Sequence, residues 1–273
     1  MLKLGGLHLE ATSIGGLETC IEVPDWGLCF DIGRCPPTAV RRQRVLMTHA
    51  HMDHLGGIAM HCATRELMAL PTPIYHVPRE NVADIEALFE VWRRLDRSDL
   101  RCEIHPCGPG DRFPIGNGRV AVPFRSPHRV PCQGYAIEAR RKKLLPQYVG
   151  ADGEEIRRLR QEGVVVSEEV EVVELAFTGD TVIDVLEREE AVRRARLLVM
   201  EVTFLDDRVP VPRARSSGHV HLDEVVERAA LFENEAILFT HFSARYSPGE
   251  VRRIVSGRLP PGLAERVHLL LPE

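Results

Sequence analysis

The stretch THAHMDHLGG, positions 48–57, constrains this chain more than any other. His49, His51, Asp53 and His54 fall within six positions, straight after the apolar run RVLM. On an extended segment, alternate side chains share a face, so His49 and His51 project together from a strand end. Asp53 and His54 then approach from the turn into the next segment. Packing needs do not gather four such groups. Neutral imidazole and carboxylate are good ligands for zinc, and also for manganese or iron. One short segment of this kind can serve two neighbouring ions, and the spacing predicts a di-metal site.

Two ions need more than four donors. Three further candidates follow other strand-like runs: His128 in RSPHRVPCQGY, Asp180 in FTGDT and His241 in LFTHFSARY. A carboxylate between two cations can bridge them, which suits Asp180.

The rest of the chain fits one large α/β unit. A hydrophobic content of 44% over 273 residues is enough for a sizeable core. No run approaches the roughly 18 apolar residues of a membrane span. The opening MLKLGGLHLEATSIGG lacks the pattern of a secretory signal. Seven cysteines, with no Cys-x-x-Cys pair, make a poor disulfide framework and a poor thiolate site. Buried thiols in a reducing cytoplasm are the expectation. A net charge of −5 excludes a global basic footprint, so any nucleic acid must be held locally.

CIEVP and LCFDIG read as strands around the turn DWG, and RVLMTH as a buried strand ending at the first histidine. The helix pattern is clearest in PRENVADIEALFEVWRRLDRS, with Pro78 in its first turn and Val82, Ile85, Leu88, Phe89, Trp92 and Leu95 on its apolar face. LGGIAMHCATRELMAL has similar spacing. Short strands fill 101–139, and residues 140–163 read as a charged excursion with a helix from Gly153. Strands return at VEVVELAFTG, RLLVMEVTF, AILFTHF and RVHLLLP, with helical patterns between them. This alternation argues for stacked layers, sheets inside and helices outside.

THAHMDHLGG, SPHRVPCQGY, FTGDT, MEVTFLDD, GHVHLDE and THFSARY occur in the order seen in ribonuclease Z, the tRNA 3′-processing endoribonuclease. The chain resembles that branch of the metallo-β-lactamase superfamily over nearly its whole length. SIGGLETC, FDIGRCP and FEVWRRLD bring it nearest to the short, plant-type form. The resemblance implies a four-layer αββα sandwich, residues 1–273, with the site at one edge of the sheets. It implies one metal held by His49, His51, His128 and Asp180, and a second held by Asp53, His54, Asp180 and His241. His219 and Glu201 match a pair that assists the chemistry. Two zinc ions are expected, with manganese or iron as alternatives. Two positions depart from the family pattern. Met200 replaces the histidine of His-Glu-Ala-Thr, and Val220 and His221 stand where small hydroxyl residues are usual.

Phosphodiester hydrolysis needs an in-line nucleophile and a stabilised leaving oxygen. Two metals roughly 3.5–4 Å apart make a hydroxide near neutral pH and neutralise phosphate charge. Asp53 is a candidate acceptor for the nucleophile's proton. The leaving ribose O3′ needs a proton, and His219, oriented by Glu201, is the candidate general acid. His221 is expected to face away or to cap the next helix. His8, His61, His76, His105 and His268 carry no partner pattern.

In the family an arm inserted between the His128 and Asp180 motifs grips the tRNA. Here the segment of about 138–165 is short, and Arg140, Arg141, Lys142 and Lys143 are its candidate phosphate contacts, from the same subunit or from the partner of a homodimer. Arg245 and Tyr246 are candidate contacts near the cut. The leading expectation is a zinc-dependent endoribonuclease that removes 3′ trailers from precursor tRNA. Two alternatives stay open. One is a hydrolase of the same fold acting on a small phosphodiester or ester-like substrate. The other is a non-catalytic, metal-bearing RNA-binding protein.

Overall fold

The computed structural model describes residues 1–272. Two seven-stranded sheets lie face to face. The first runs in chain order: β1 (Leu2–Leu4), β2 (Leu7–Ile14), β3 (Glu18–Val23), β4 (Leu28–Phe30), β5 (Arg44–Leu46), β6 (Ile74–Pro78) and β7 (Glu103–Cys107). Its first four strands pair antiparallel and the rest parallel. The second holds β8 (Phe113–Gly116), β9 (Arg119–Arg125), β10 (Gln133–Leu144), β11 (Ser167–Phe177), β12 (Leu197–Glu201), β13 (Ala236–Thr240) and β14 (Val267–Leu269), again in sequential order. Here β8 to β11 are antiparallel, and β11 to β14 parallel.

Parallel pairs need crossovers, and the helices that supply them cover the outer faces. Against the first sheet lie α1 (Met52–Leu55), α2 (Ile58–Leu67) and α3 (Val82–Asp96). The short α5 (Asp184–Arg188), α6 (Glu190–Arg194) and α8 (Leu222–Glu227) and the longer α9 (Pro248–Arg258) cover the second. Also present are α4 (Gly153–Gln161), α7 (Val211–Ser217) and α10 (Pro261–Ala264). The result is the four-layer αββα sandwich that the resemblance implied, with sheets inside and helices outside as the alternation argued.

The inter-sheet core draws on both halves of the chain. Leu9, Ile21, Phe30 and Leu46 from the first sheet meet Tyr135, Ile137, Leu175, Phe177 and Leu238 from the second. Phe30 sits 5.1 Å, centroid to centroid, from Phe177 and 6.1 Å from Tyr135, at tilted angles that let the rings interlock. Each half brings one apolar sheet face that only the other half covers.

Two local expectations need correction. Pro78 does not open the long helix. It ends β6, with φ −53° and ψ 135°, in register with Cys107, and a short turn intervenes before α3. Leu88 and Leu95 are exposed, because the α3 stripe buries Ile85 and Phe89 and packs only Val82 and Trp92 beside them at the edge of the core. The excursion from residue 140 begins as a two-stranded ribbon: past Ala139, the last residue of β10 paired with β9, residues 140–144 are mostly exposed and pair with β11 as far as Ser167. The helix from Gly153 is where the sequence put it.

Candidate active site

Five strand ends converge on one edge of the sandwich. His49 and His51 follow β5, and Asp53 and His54 lie in α1. His128 follows β9, Asp180 follows β11, Glu201 ends β12 and His241 follows β13. The backbone is placed there under constraint. His241 and Asp31 both have positive φ, 60° and 55°, a conformation that side-chain-bearing residues adopt rarely.

The ligand atoms of His49, His51, His128 and Asp180 lie within 4.8 Å of one another, as do those of Asp53, His54 and His241. Asp180 faces both groups. Its Oδ2 is 3.7 Å from His49 Nε2 and 3.9 Å from His128 Nε2, while its Oδ1 is 3.3 Å from His54 Nε2 and 3.5 Å from His241 Nε2. Asp53 Oδ2 is 3.7 Å from His54 Nε2 and 3.4 Å from His241 Nε2. One carboxylate oxygen is thus turned to each group.

The donor set fits divalent cations. Burial, with the charge of neighbouring histidines, holds His49, His51 and His128 below the usual imidazole range, in the neutral form that ligates. Their nitrogens nevertheless crowd together, with His51 Nδ1 3.0 Å from His49 Nε2 and 3.3 Å from His128 Nε2. Burial also disfavours charge on Asp53 and Asp180, but the surrounding histidines outweigh it and hold both below the ordinary carboxyl range. His54 goes the other way. Burial opposes its charge, yet Asp180 and Asp31 raise it well above the normal range.

A ring of outer partners orients these groups. Fully buried Asp31 accepts from His54 Nδ1 (2.7 Å), Thr48 N (2.7 Å) and Thr48 Oγ1 (2.8 Å). Gly16 N donates to Asp53 Oδ2 at 2.9 Å. His128 Nδ1 donates to Gly218 O at 2.8 Å. Gly218 itself has φ +83°, and a Cβ there would stand 2.5 Å from His128 Nδ1. Sequence reading assigned no role to Asp31, Thr48 or Thr203. The available signal was Asp31 in FDIG, an acidic residue directly after a buried strand.

Glu201 is buried beneath the site. It accepts from Thr181 N (3.0 Å), Thr203 N (3.1 Å), Thr203 Oγ1 (2.5 Å), Val220 N (3.3 Å) and His219 Nδ1 (2.9 Å). Burial pushes the His219 imidazole down. The charge and hydrogen bond of Glu201, with Asp180 beyond, overcome it and raise the group to about 9. His219 also lies near Asp180 and His241 as a third cluster, but its Nδ1 is taken by Glu201. The Met200 departure has a simple setting, since that side chain points into the core behind β12. His221 caps α8, its Nδ1 accepting from Asp223 N at 3.1 Å. His61 and His76 are buried, and His8, His105 and His268 lie away from the site.

The substrate-side candidates fare unevenly. Tyr246 does not face the site. Its buried hydroxyl accepts from Leu205 N (3.1 Å) and donates to Asp206 Oδ1 (3.2 Å), because the turn after His241 folds the ring inward under Arg208. Arg245 is exposed at that turn. Arg140, Lys142 and Lys143 stand opposite Glu171, Glu169 and Glu168 on β11, and Arg141 pairs with Glu174. The basic run is therefore largely balanced across the hairpin.

The model of the β-lactamase superfamily domain matches residues 33–242. The chain is 42% identical over 271 residues to tRNase Z TRZ1 of Arabidopsis thaliana, covering 98% of this chain and 96% of that one. It is 37% identical to the chloroplastic tRNase Z TRZ2 of the same plant, over 93% and 72% of the two chains. The crystal structure of the short-form human tRNase Z, ELAC1, superposes with a TM-score of 0.60 at 18% identity, over 96% and 95%, a likeness of fold. The chain belongs to the tRNase Z family of the β-lactamase superfamily, and it is a phosphodiester hydrolase of the ribonuclease Z type.

Proposed function

We propose that this protein is a zinc-dependent endoribonuclease that cuts the 3′ trailer from precursor tRNA, leaving a 3′-hydroxyl on the tRNA and a 5′-phosphate on the trailer. The observation that carries the di-metal part is Asp180, with one oxygen toward each histidine group. His49, His51 and His128 would hold one ion and Asp53, His54 and His241 the other, with Asp180 serving both. When bound, such ions acidify water and neutralise phosphate charge.

The chain's own residues supply the rest. Glu201 fixes the Nδ1 side of His219, so Nε2 is the atom left to carry a proton to the leaving ribose O3′. Asp53, which accepts from Gly16 N, would take the nucleophile's proton. Asp31 and Thr203 hold His54 and His241 in one orientation, with Thr203 Oγ1 3.0 Å from His241 Nδ1. Preset geometry of this kind lowers the barrier because the groups need not reorganise during reaction.

The partner reading is precursor tRNA, with a homodimer as the working form. Exposed Met60, Leu67, Leu88, Val91 and Leu95 on α2 and α3 support an apolar face for a second subunit. Seven free cysteines, five of them buried, suit a reducing compartment such as the cytoplasm. Among the described residues no helix is long and apolar enough to cross a membrane.

The test loads the protein with zinc or manganese. It is offered a precursor tRNA with a 3′ trailer, bis(p-nitrophenyl) phosphate and a thioester. Cleavage after the discriminator base is expected. Hydrolysis of the small substrates alone would overturn the tRNA reading.

A further inference from the structure

Beside the histidine and aspartate cluster a groove of roughly 590 Å³ opens to solvent. His128 belongs to both, its Nε2 facing His51 while the residue lines the groove. Arg125, at the end of β9, and Arg129, directly after His128, line it as well, and both are exposed. Other arginines of this sheet are neutralised: Arg112 by Glu138, and Arg119 and Arg141 by Glu174. Among the described residues Arg125 and Arg129 have no carboxylate within 4.0 Å. In an acidic chain, two unpaired guanidinium groups beside a phosphodiester site are notable. The planar fork of arginine matches phosphate oxygens two at a time.

The groove is also preformed. Pro127 and Pro131 flank its loop and restrict the backbone. Its floor includes buried Gln133, whose Nε2 donates to Tyr135 Oη at 2.6 Å, while that hydroxyl donates to Met47 O at 2.7 Å. Glu80 stands among the lining residues, so the cationic edge is one-sided. That suits a chain with its backbone along one edge better than a free multivalent anion.

We propose that this groove is a nucleotide subsite. It seats a single-stranded RNA residue next to the scissile bond, with the adjoining backbone phosphate on Arg125 and Arg129. The inference rests on the endoribonuclease reading above. It gives that reading a grip beside the chemistry, distinct from the charge-balanced hairpin arm.

The test compares the metal-loaded full chain with Arg125→Glu and with the Arg125→Glu/Arg129→Glu double variant. KM and kcat on a trailer-bearing precursor tRNA are measured over a range of salt. Metal content and turnover of bis(p-nitrophenyl) phosphate report whether the metal centre itself is intact. The double variant should raise KM for RNA at least tenfold and lower the ratio of RNA to small-diester activity by a similar factor. The slope of log kcat/KM against log salt should become shallower by about one. Arg125→Lys should recover part of the loss. An unchanged KM and salt slope overturn the subsite. So does a loss of metal with equal losses on both substrates, which would place the arginines behind the metal centre. If the unaltered protein leaves the precursor uncut, the endoribonuclease reading fails by itself. Binding of a short fluorescent single-stranded RNA then decides the groove, and equal affinity in the unaltered and double-variant proteins overturns it.

Discussion

His219 Nδ1 donates to Glu201 Oε1 across 2.9 Å, and the same carboxyl group accepts from Thr181 N and Val220 N. One buried residue at the end of β12 thereby ties together the loop of Asp180 and the loop of His219. The proton of the imidazole and the position of the Asp180 carboxylate share a support.

This arrangement sets an expectation for His219→Ala and Glu201→Gln. Each should lower kcat on precursor tRNA by about 10²–10⁴, the range of a lost general acid. Metal content, measured by mass spectrometry of the purified protein, should stay near the unaltered value for His219→Ala. Loss of both ions with the imidazole would make His219 a ligand and end its role as the acid.

Asp180 and Asp31 should differ in kind. Asp180→Asn removes charge from the one carboxylate that faces both groups, so metal binding should fail on both sides. Asp31→Asn weakens the direct partner of His54 Nδ1 and reaches His49 only through Thr48, so a 10–100-fold weaker affinity is expected chiefly on the Asp53, His54 and His241 side. Competition titration with a chelating dye resolves the two patterns.

Gly218→Ala should disturb His128 without replacing any candidate ligand. The new methyl must avoid His128 Nδ1 at 2.5 Å, and the backbone sits at φ +83°. Stability should fall by at least about 1 kcal/mol in urea unfolding. Affinity should fall on the His49, His51 and His128 side.

The hairpin arm is a separate matter. Reversing the charges of Arg140 to Lys143 should raise KM for precursor tRNA and spare bis(p-nitrophenyl) phosphate. The rise should be smaller than that from the Arg125 and Arg129 double variant, because Glu168, Glu169 and Glu171 already oppose the basic run. Steady-state kinetics on both substrates checks this.

His61 makes a stability prediction away from the site. Its ring is fully buried between Tyr75 Oη (2.8 Å from Nδ1) and Arg42 O (3.0 Å from Nε2). Burial, and then the positive charge of Arg65, depress it to about 4. An unfolded chain binds this proton near pH 6.5, so it holds more protons than the folded chain between about 6.5 and 4. Stability from this group is complete above the upper value and falls as pH drops through the window, by roughly 3 kcal/mol in all. His61→Gln should flatten that part of the pH dependence in urea unfolding. An unchanged slope would mean the ring is not held neutral.

Much of the site was legible because metal chemistry leaves dense local marks. His49, His51, Asp53 and His54 are adjacent in sequence, and their spacing along a strand end and a turn is enough to align them. The order of strands and helices likewise announced stacked layers, since apolar periodicity is a local property. Asp31 was not legible, because an acidic residue at a strand end has no meaning until His54 is folded against it. Tyr246 looked like a substrate contact for the same reason. Only its packing beneath Arg208 and its bond to Leu205 N show which way it turns. The basic run at 140–143 looked free in one dimension, and its neutralisation depends on a β10–β11 register formed across some thirty residues. Short-range spacing and the order of motifs therefore determined the stacked layers, the family resemblance and the ligand types. Long-range register and burial decided which groups stay charged, which are tied down, and which remain open to solvent.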